Sequence, residues 1–259
     1  MAKDEKEKKT WQEQLRTSNP AWRNDVFQRQ GEAVGQVMTI EGTINKTALL
    51  LACVALASMW TWRLHATSPD SVGPVVLAGA LTAFVVGLVA IMKPQSAPIA
   101  APIYATFEGF ALGALSGWMD SVYPGIAGQA VVLTFSILGA MLVVYRSGAI
   151  AVTDNFKIGV VSATGGIAVF YLVALVSQWA GGSLGATLIS GSGFYGILFS
   201  VIVIGVAALN FVMDFDLIEK GAAAGAPQYM EWYAAFGLML TLIWLYLEVL
   251  RLLGKLRRR

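Results

Sequence analysis

A chain of 259 residues that is 56 % hydrophobic and only 13 % charged falls outside the ordinary soluble class, where about 25 % of residues carry charge. Its formal net charge of +2 arises from Lys and Arg crowded at the two ends. No basic patch alternates with exposed aromatics, so a nucleic-acid partner is excluded. A single cysteine, Cys53, and a single histidine, His65, exclude an intramolecular disulfide, a Cys-based metal site, a His-dependent triad and a His-rich zinc site.

Residues 1–43 read as a cytosolic arm. It opens with the mixed charge run Lys3 to Lys9, and Ser18-Asn19-Pro20 suits a turn or a helix start. Phe27, Val34, Val37 and Met38 suit a short segment lying on the membrane surface. No cleavable leader is expected, because the first forty residues are polar and lack an apolar core.

A bilayer core of ~30 Å takes about 20 apolar residues per helix. The first such stretch is 45–64, with Trp60 and Trp62 near its end, where amphipathic rings favour an interface. The second is 72–92, closed by Lys93-Pro94. The third is 98–119, interrupted by Glu108, and the fourth is 123–145, followed by Arg146. From 158 to 213 no charge occurs at all, which is too long for one helix. Ala180-Gly181-Gly182-Ser183 and Gly191-Ser192-Gly193 supply the break. Helix five is thus 158–180, helix six runs from about Gly193 to Met213 or a turn or two beyond, and helix seven is 231–253. The expected fold is an all-α integral membrane protein, a seven-helix bundle over residues 44–254, ending in a basic tail at 255–259.

Loop charge orients it. With the N-terminus inside, Lys46, Lys93, Arg146, Lys157 and Lys220 join the arm on the inner side and Arg63 stands alone outside, as the positive-inside rule favours. The basic segment from Arg251 to Arg259 opposes this, since seven spans put it outside. Either the other six helices overrule the seventh, or one segment is re-entrant.

Carboxylates at membrane depth are costly and mark candidate sites. Glu108 sits mid-helix beside Gly109, Gly113 and Gly117, a small-residue stripe that lets another helix approach closely, so Glu108 is expected to face the interior. Asn210 and Asp214 share a face one turn apart. Asp216 lies about 200° round from Asp214 and is placed to pair with Lys220 in a solvated or interfacial setting. Glu231 opens helix seven, either near Asp214 or at the interface. Glu248 is roughly 25 Å further along that helix and one turn from Arg251. Two carboxylates sharing a proton in a low-dielectric site would make a pH-sensitive cation site, with Ca²⁺ near Asp214 as a candidate ligand. No phosphate-binding loop or dinucleotide fingerprint appears, and Gly191-Ser192-Gly193 is better explained as a helix break than as a serine-nucleophile turn. No enzymatic activity and no cofactor are expected.

Several stretches carry a family resemblance: Ser18-Asn19-Pro20, the run from Met38 to Thr47, and Phe107-Glu108-Gly109-Phe110-Ala111-Leu112-Gly113. Tyr145-Arg146-Ser147-Gly148, the run from Asp214 to Gly221 and the block from Ala234 to Gly254 follow in order. The chain resembles the transmembrane Bax inhibitor motif family, in particular its bacterial Bax-inhibitor-like (YccA) branch. The resemblance implies seven helices with helix seven central, and a pH-sensitive calcium or cation leak in a bacterial inner membrane. It implies a gate in which an aspartate on helix six, falling on Asp214, is hydrogen-bonded to one on helix seven, and a helix-three glutamate falling on Glu108. The helix-seven member departs from the pattern. An ungapped alignment, preferred here, puts Thr241 at that position, whereas matching Leu245-Tyr246-Leu247-Glu248 puts Glu248 there. The expected mechanism is that ionised Asp214 holds a closed pore and protonation changes its partners, with Asn210 and Thr241 as polar support. The alternative is a regulatory protein that binds other membrane proteins and conducts no ions.

Overall fold

In the computed structural model, residues 36–258 are described. The features read in the arm at Lys3 to Lys9, Ser18-Asn19-Pro20, Phe27 and Val34 lie outside the described residues. Seven helices are long and apolar enough to cross a membrane. They are α1 (Ile40–Thr67), α2 (Val72–Met92), α3 (Ala97–Val122), α4 (Ile126–Arg146), α5 (Asp154–Trp179), α6 (Phe194–Ala223) and α7 (Tyr229–Arg257).

Most of these helices outrun the apolar stretches read from sequence. The 30 residues of α6 span about 45 Å against a hydrocarbon core of ~30 Å, so its polar ends project toward the headgroups. The backbone has a reason to stay helical there, because each N–H and C=O near lipid needs an internal partner. Thus α1 begins at Ile40, inside the stretch assigned to the arm, and α7 continues to Arg257, absorbing most of the expected tail. His65, read as a loop residue, stands in the last turns of α1 against Gly117.

Local chemistry sets the ends. Thr39 caps α1, its Oγ1 accepting from Gly42 N at 2.9 Å, and Thr153 caps α5 by accepting from Phe156 N at 3.2 Å. Pro69 and Pro94 open the tight turns before α2 and α3. Gly125, at φ +83°, makes the left-handed turn into α4, and its N–H donates to Asp120 Oδ1 at 2.9 Å. The break between α5 and α6 holds a short π-helical segment, Ala186–Ser190.

The glycine stripe of α3 receives α1. A Cβ at Gly109 would strike Val54 and Ala57, one at Gly113 would strike the Ser58 backbone, and Gly117 lies under His65. Close approach then allows an interhelical bond from Ser58 Oγ to Gly109 O at 2.9 Å. On the other flank of α3, Gly79 and Gly87 of α2 admit Phe110 and Tyr104.

Helix α7 packs directly against α1, α3, α4 and α6, with Phe236, Met239, Leu245 and Leu250 fully buried. Its centrality is narrower than expected. Helix α2 rests on α3 and α5 rests on α6, and α5 reaches α7 through the Tyr171 side chain. Val37 and Met38 also depart from the surface-lying reading. Val37 pairs with Pro227 in an isolated bridge, Met38 N donates to Ala226 O at 2.7 Å, and the Met38 side chain packs with Ile218, Met230 and Tyr233. The chain entering α1 is thereby tied to the α6–α7 turn.

Candidate functional site

Each carboxylate flagged in the sequence has a different neighbourhood. Glu231, in the first turn of α7, is buried and accepts from Thr39 N and Thr39 Oγ1, both at 2.8 Å. Its second oxygen forms an ion pair with Lys46 of α1, whose ammonium also lies 5.6 Å from the Trp232 ring centroid. Gly42 makes room for this carboxylate, since a Cβ there would collide with it. Glu231 is therefore bonded to α1 and its cap, and the expectation that it lies near Asp214 gives way to its role at the interface.

Asp214 is half-buried on α6. Its Oδ2 is enclosed with no hydrogen-bond partner. The Thr241 side chain of α7 stands within reach of the carboxylate, while the Thr241 hydroxyl donates to Gly237 O at 3.3 Å. Of the two registers left open by the sequence, the geometry places Thr241 opposite Asp214. Glu248 lies two turns further along α7 with partners of its own.

Asn210 sits one turn before Asp214 and turns toward α5, donating to Thr164 Oγ1 at 2.8 Å and to Val206 O at 2.9 Å. Asp216, on the far side of α6, accepts from Lys220 at 2.8 Å and faces Lys157 of α5 at 3.3 Å. The Lys220 pairing follows from the i,i+4 spacing. The solvated setting does not hold, because the approach of Lys157 from α5 covers Asp216 and leaves it buried. Neighbouring Glu219 accepts from the Tyr145 hydroxyl of α4.

Glu108 is half-buried on α3 with Tyr104 as its side-chain partner one turn back. Tyr104 in turn meets Phe236 of α7 edge-on, with ring centroids 5.1 Å apart. At the far end of α7, Glu248 is buried and accepts from Arg251 at 2.5 Å and from the Tyr171 hydroxyl at 2.9 Å. Arg251 also reaches the Tyr171 oxygen at 2.7 Å.

The structure thus joins Asp214 with Thr241 and keeps Glu108, Asp216, Glu231 and Glu248 in separate settings. Among the described residues no group of three or more His, Cys, Asp or Glu gathers. A resident Ca²⁺ takes about six to eight oxygens, several of them carboxylate, whereas Asp214 brings one carboxylate and a neighbouring hydroxyl.

A family model described as Bax inhibitor 1 like matches residues 19–258, nearly the whole chain and all seven helices. The chain belongs to the Bax inhibitor 1-like family. Comparison with curated proteins and comparison with solved structures gave no match. Membership agrees with the order of the sequence blocks up to Gly254. In this Bax inhibitor 1-like chain the helix-seven group opposite Asp214 is a threonine.

Sequence reasoning missed several partners: Thr39 and Lys46 for Glu231, Lys157 for Asp216, Tyr171 for Glu248 and Tyr104 for Glu108. Only the last had a local signal, a tyrosine one helical turn from a glutamate. The burial of Lys255 was missed as well.

Proposed function

We propose that this protein is a pH-sensitive cation leak, with Ca²⁺ as the leading permeant ion, controlled by one carboxylate at the α6–α7 interface. The observation that carries the reading is the enclosed Asp214 Oδ2 with no hydrogen-bond partner, facing Thr241 inside a family fold. An unpaired polar atom in the interior of a membrane protein is costly. It is retained where a change of partner or protonation does work. Ionised, Asp214 attracts cations to the α6–α7 seam and holds it closed. Protonated, its carboxyl gains a donor that Thr241 or a backbone carbonyl can accept, and the seam rearranges. With threonine in place of a second carboxylate, a single proton controls the switch. The reading needs no catalytic group and no cofactor.

We place the protein in a bacterial inner membrane with the N-terminus cytoplasmic. Lys46, Lys93, Arg146, Lys157 and Lys220 all belong to one end of the bundle, as the positive-inside rule favours for the cytoplasmic side. The opposing basic segment is weaker than its composition suggests. Arg251 is neutralised by Glu248, and Lys255 is buried within the protein.

The test is Ca²⁺ flux into liposomes holding the purified protein, at acidic and at neutral pH, beside Asp214→Asn. The expected result is a protein-dependent flux that changes with pH, and a mutant flux that does not. Flux equal to that of empty liposomes under every condition sinks the leak and moves the assignment to a non-conducting membrane regulator.

A further inference from the structure

Lys255 is the least expected side chain of the bundle. It lies in the last turns of α7, within the segment read as a basic tail, yet it is only 2 % exposed. Its ammonium donates to Leu188 O, Gly196 O and Ser200 Oγ, each at 2.8 Å. An ammonium has three N–H donors, and all three are used.

None of those three partners carries charge. The carboxylate nearest in the chain, Glu248, is already bonded to Arg251 and Tyr171. Buried lysines ordinarily pair with a carboxylate. The Glu248 carboxylate acts on Lys255 only at longer range and is offset by Arg251, so every group that touches the ammonium is a neutral oxygen, the kind of donor with which proteins hold a free monovalent cation: backbone carbonyls and hydroxyls replace its hydration shell.

The cage is built by the break in the chain. Leu188 belongs to the π-helical segment Ala186–Ser190, and Gly196 and Ser200 are one turn apart at the start of α6. Gly196 is held so close to that segment that a Cβ would collide with the Gly191 carbonyl. The three oxygens therefore converge because π segment and helix are packed without side chains between them. A cavity of about 220 Å³, lined in part by Ile189, Ser190, Arg251, Lys255 and Arg258, opens beside the ammonium.

The geometry points to a binding site for a small monovalent cation, of ammonium or potassium type, that Lys255 itself occupies as a tethered ion. The lysine acts as a resident plug at the end of the bundle opposite Lys46 and Glu231. This inference is independent of the gating role given to Asp214, and its test reads stability and not flux.

The experiment is thermal unfolding of the purified, detergent-solubilised protein at constant total salt, in choline chloride and with choline replaced stepwise by ammonium or potassium. Wild type is expected to melt at the same temperature throughout. Lys255→Met, which leaves three buried acceptors without a donor, is expected to melt lower in choline. It should recover by several degrees in a saturable manner as the small cation is added, and adding Ser200→Val should weaken that recovery. Lys255→Gln, which fills the cage with neutral N–H donors, should fold without a cation response. The proposal is overturned if Lys255→Met melts alike in choline and in small cations, or cannot be recovered folded in any of these salts. An equal cation response in Lys255→Gln overturns it too, because the ion would then be bound elsewhere.

Discussion

Glu231 and Asp214 are carboxylates on the same α6–α7 hairpin, and they are treated in opposite ways. Glu231 receives an ammonium, a hydroxyl and a backbone N–H, all from α1 or its cap. Asp214 keeps one oxygen enclosed without a partner, and the one side chain that reaches its carboxylate is a threonine hydroxyl shared with the Gly237 carbonyl. A fully bonded carboxylate ties two helices together, and any change of its charge loosens them. A carboxylate left short of partners costs little to change, so it is free to respond. The contrast separates a tie from a switch, and mutation can press on each side of it.

The largest effect is expected at the tie. Glu231→Gln leaves the half-buried Lys46 without its counter-charge, and since breaking a fully buried pair from one side costs about 3 kcal/mol or more, this partly exposed one should cost about 2 kcal/mol. Thermal or denaturant unfolding in detergent measures it, and a loss below about 1 kcal/mol would place the pair with weak surface bridges. Removing both charges in Glu231→Gln with Lys46→Met should recover part of that loss, since no orphan charge remains. A double mutant as unstable as the sum of the singles would mean that the two side chains act independently.

Thr241→Asp sharpens the comparison from the other side. It sets a second carboxylate opposite Asp214, so ionising both forces like charges together. The folded protein should then hold a proton that the unfolded chain releases, and its stability should fall as pH rises, by on the order of 1 kcal/mol per pH unit of displacement. Melting curves across pH, compared with wild type, read this directly. A pH profile parallel to wild type would show that position 241 does not face Asp214. The smallest effect belongs to Asp214→Asn. It leaves the enclosed, unpartnered oxygen position as the only site changed and keeps an oxygen for the Thr241 side chain, so unfolding should shift by less than about 1 kcal/mol. A loss as large as that of Glu231→Gln would abolish the distinction between the two sites.

Much of the architecture was legible in the sequence because its causes are local. Apolar length and interrupting glycines fix the number of spans, and all seven appear. The stripe Gly109, Gly113, Gly117 announced a close helix neighbour, though not that the neighbour would be α1. The i,i+4 and i,i+3 spacings announced Asp216 with Lys220 and Glu248 with Arg251. Helix ends were less legible, because the apolar window closes before the helix does. Polar residues such as Thr39, Asp154 and Lys255 lie outside the hydrocarbon pattern yet cap or continue the helices.

By itself, then, the sequence determined a seven-span α-helical membrane protein of this family, with most loop cations on one side, a basic C-terminal segment opposing them, and a carboxylate in the middle of α3 and near the end of α6. Only the tertiary structure decided what each charge meets. Thr39 and Lys46 meet Glu231 across 192 and 185 residues, Thr241 comes to face Asp214, and Lys255 finds one oxygen of the α5–α6 break and two of the first turns of α6. These pairings have no period and no fixed spacing. They follow from which helix faces pack together, and packing in lipid is set by small residues and complementary shape along entire helices.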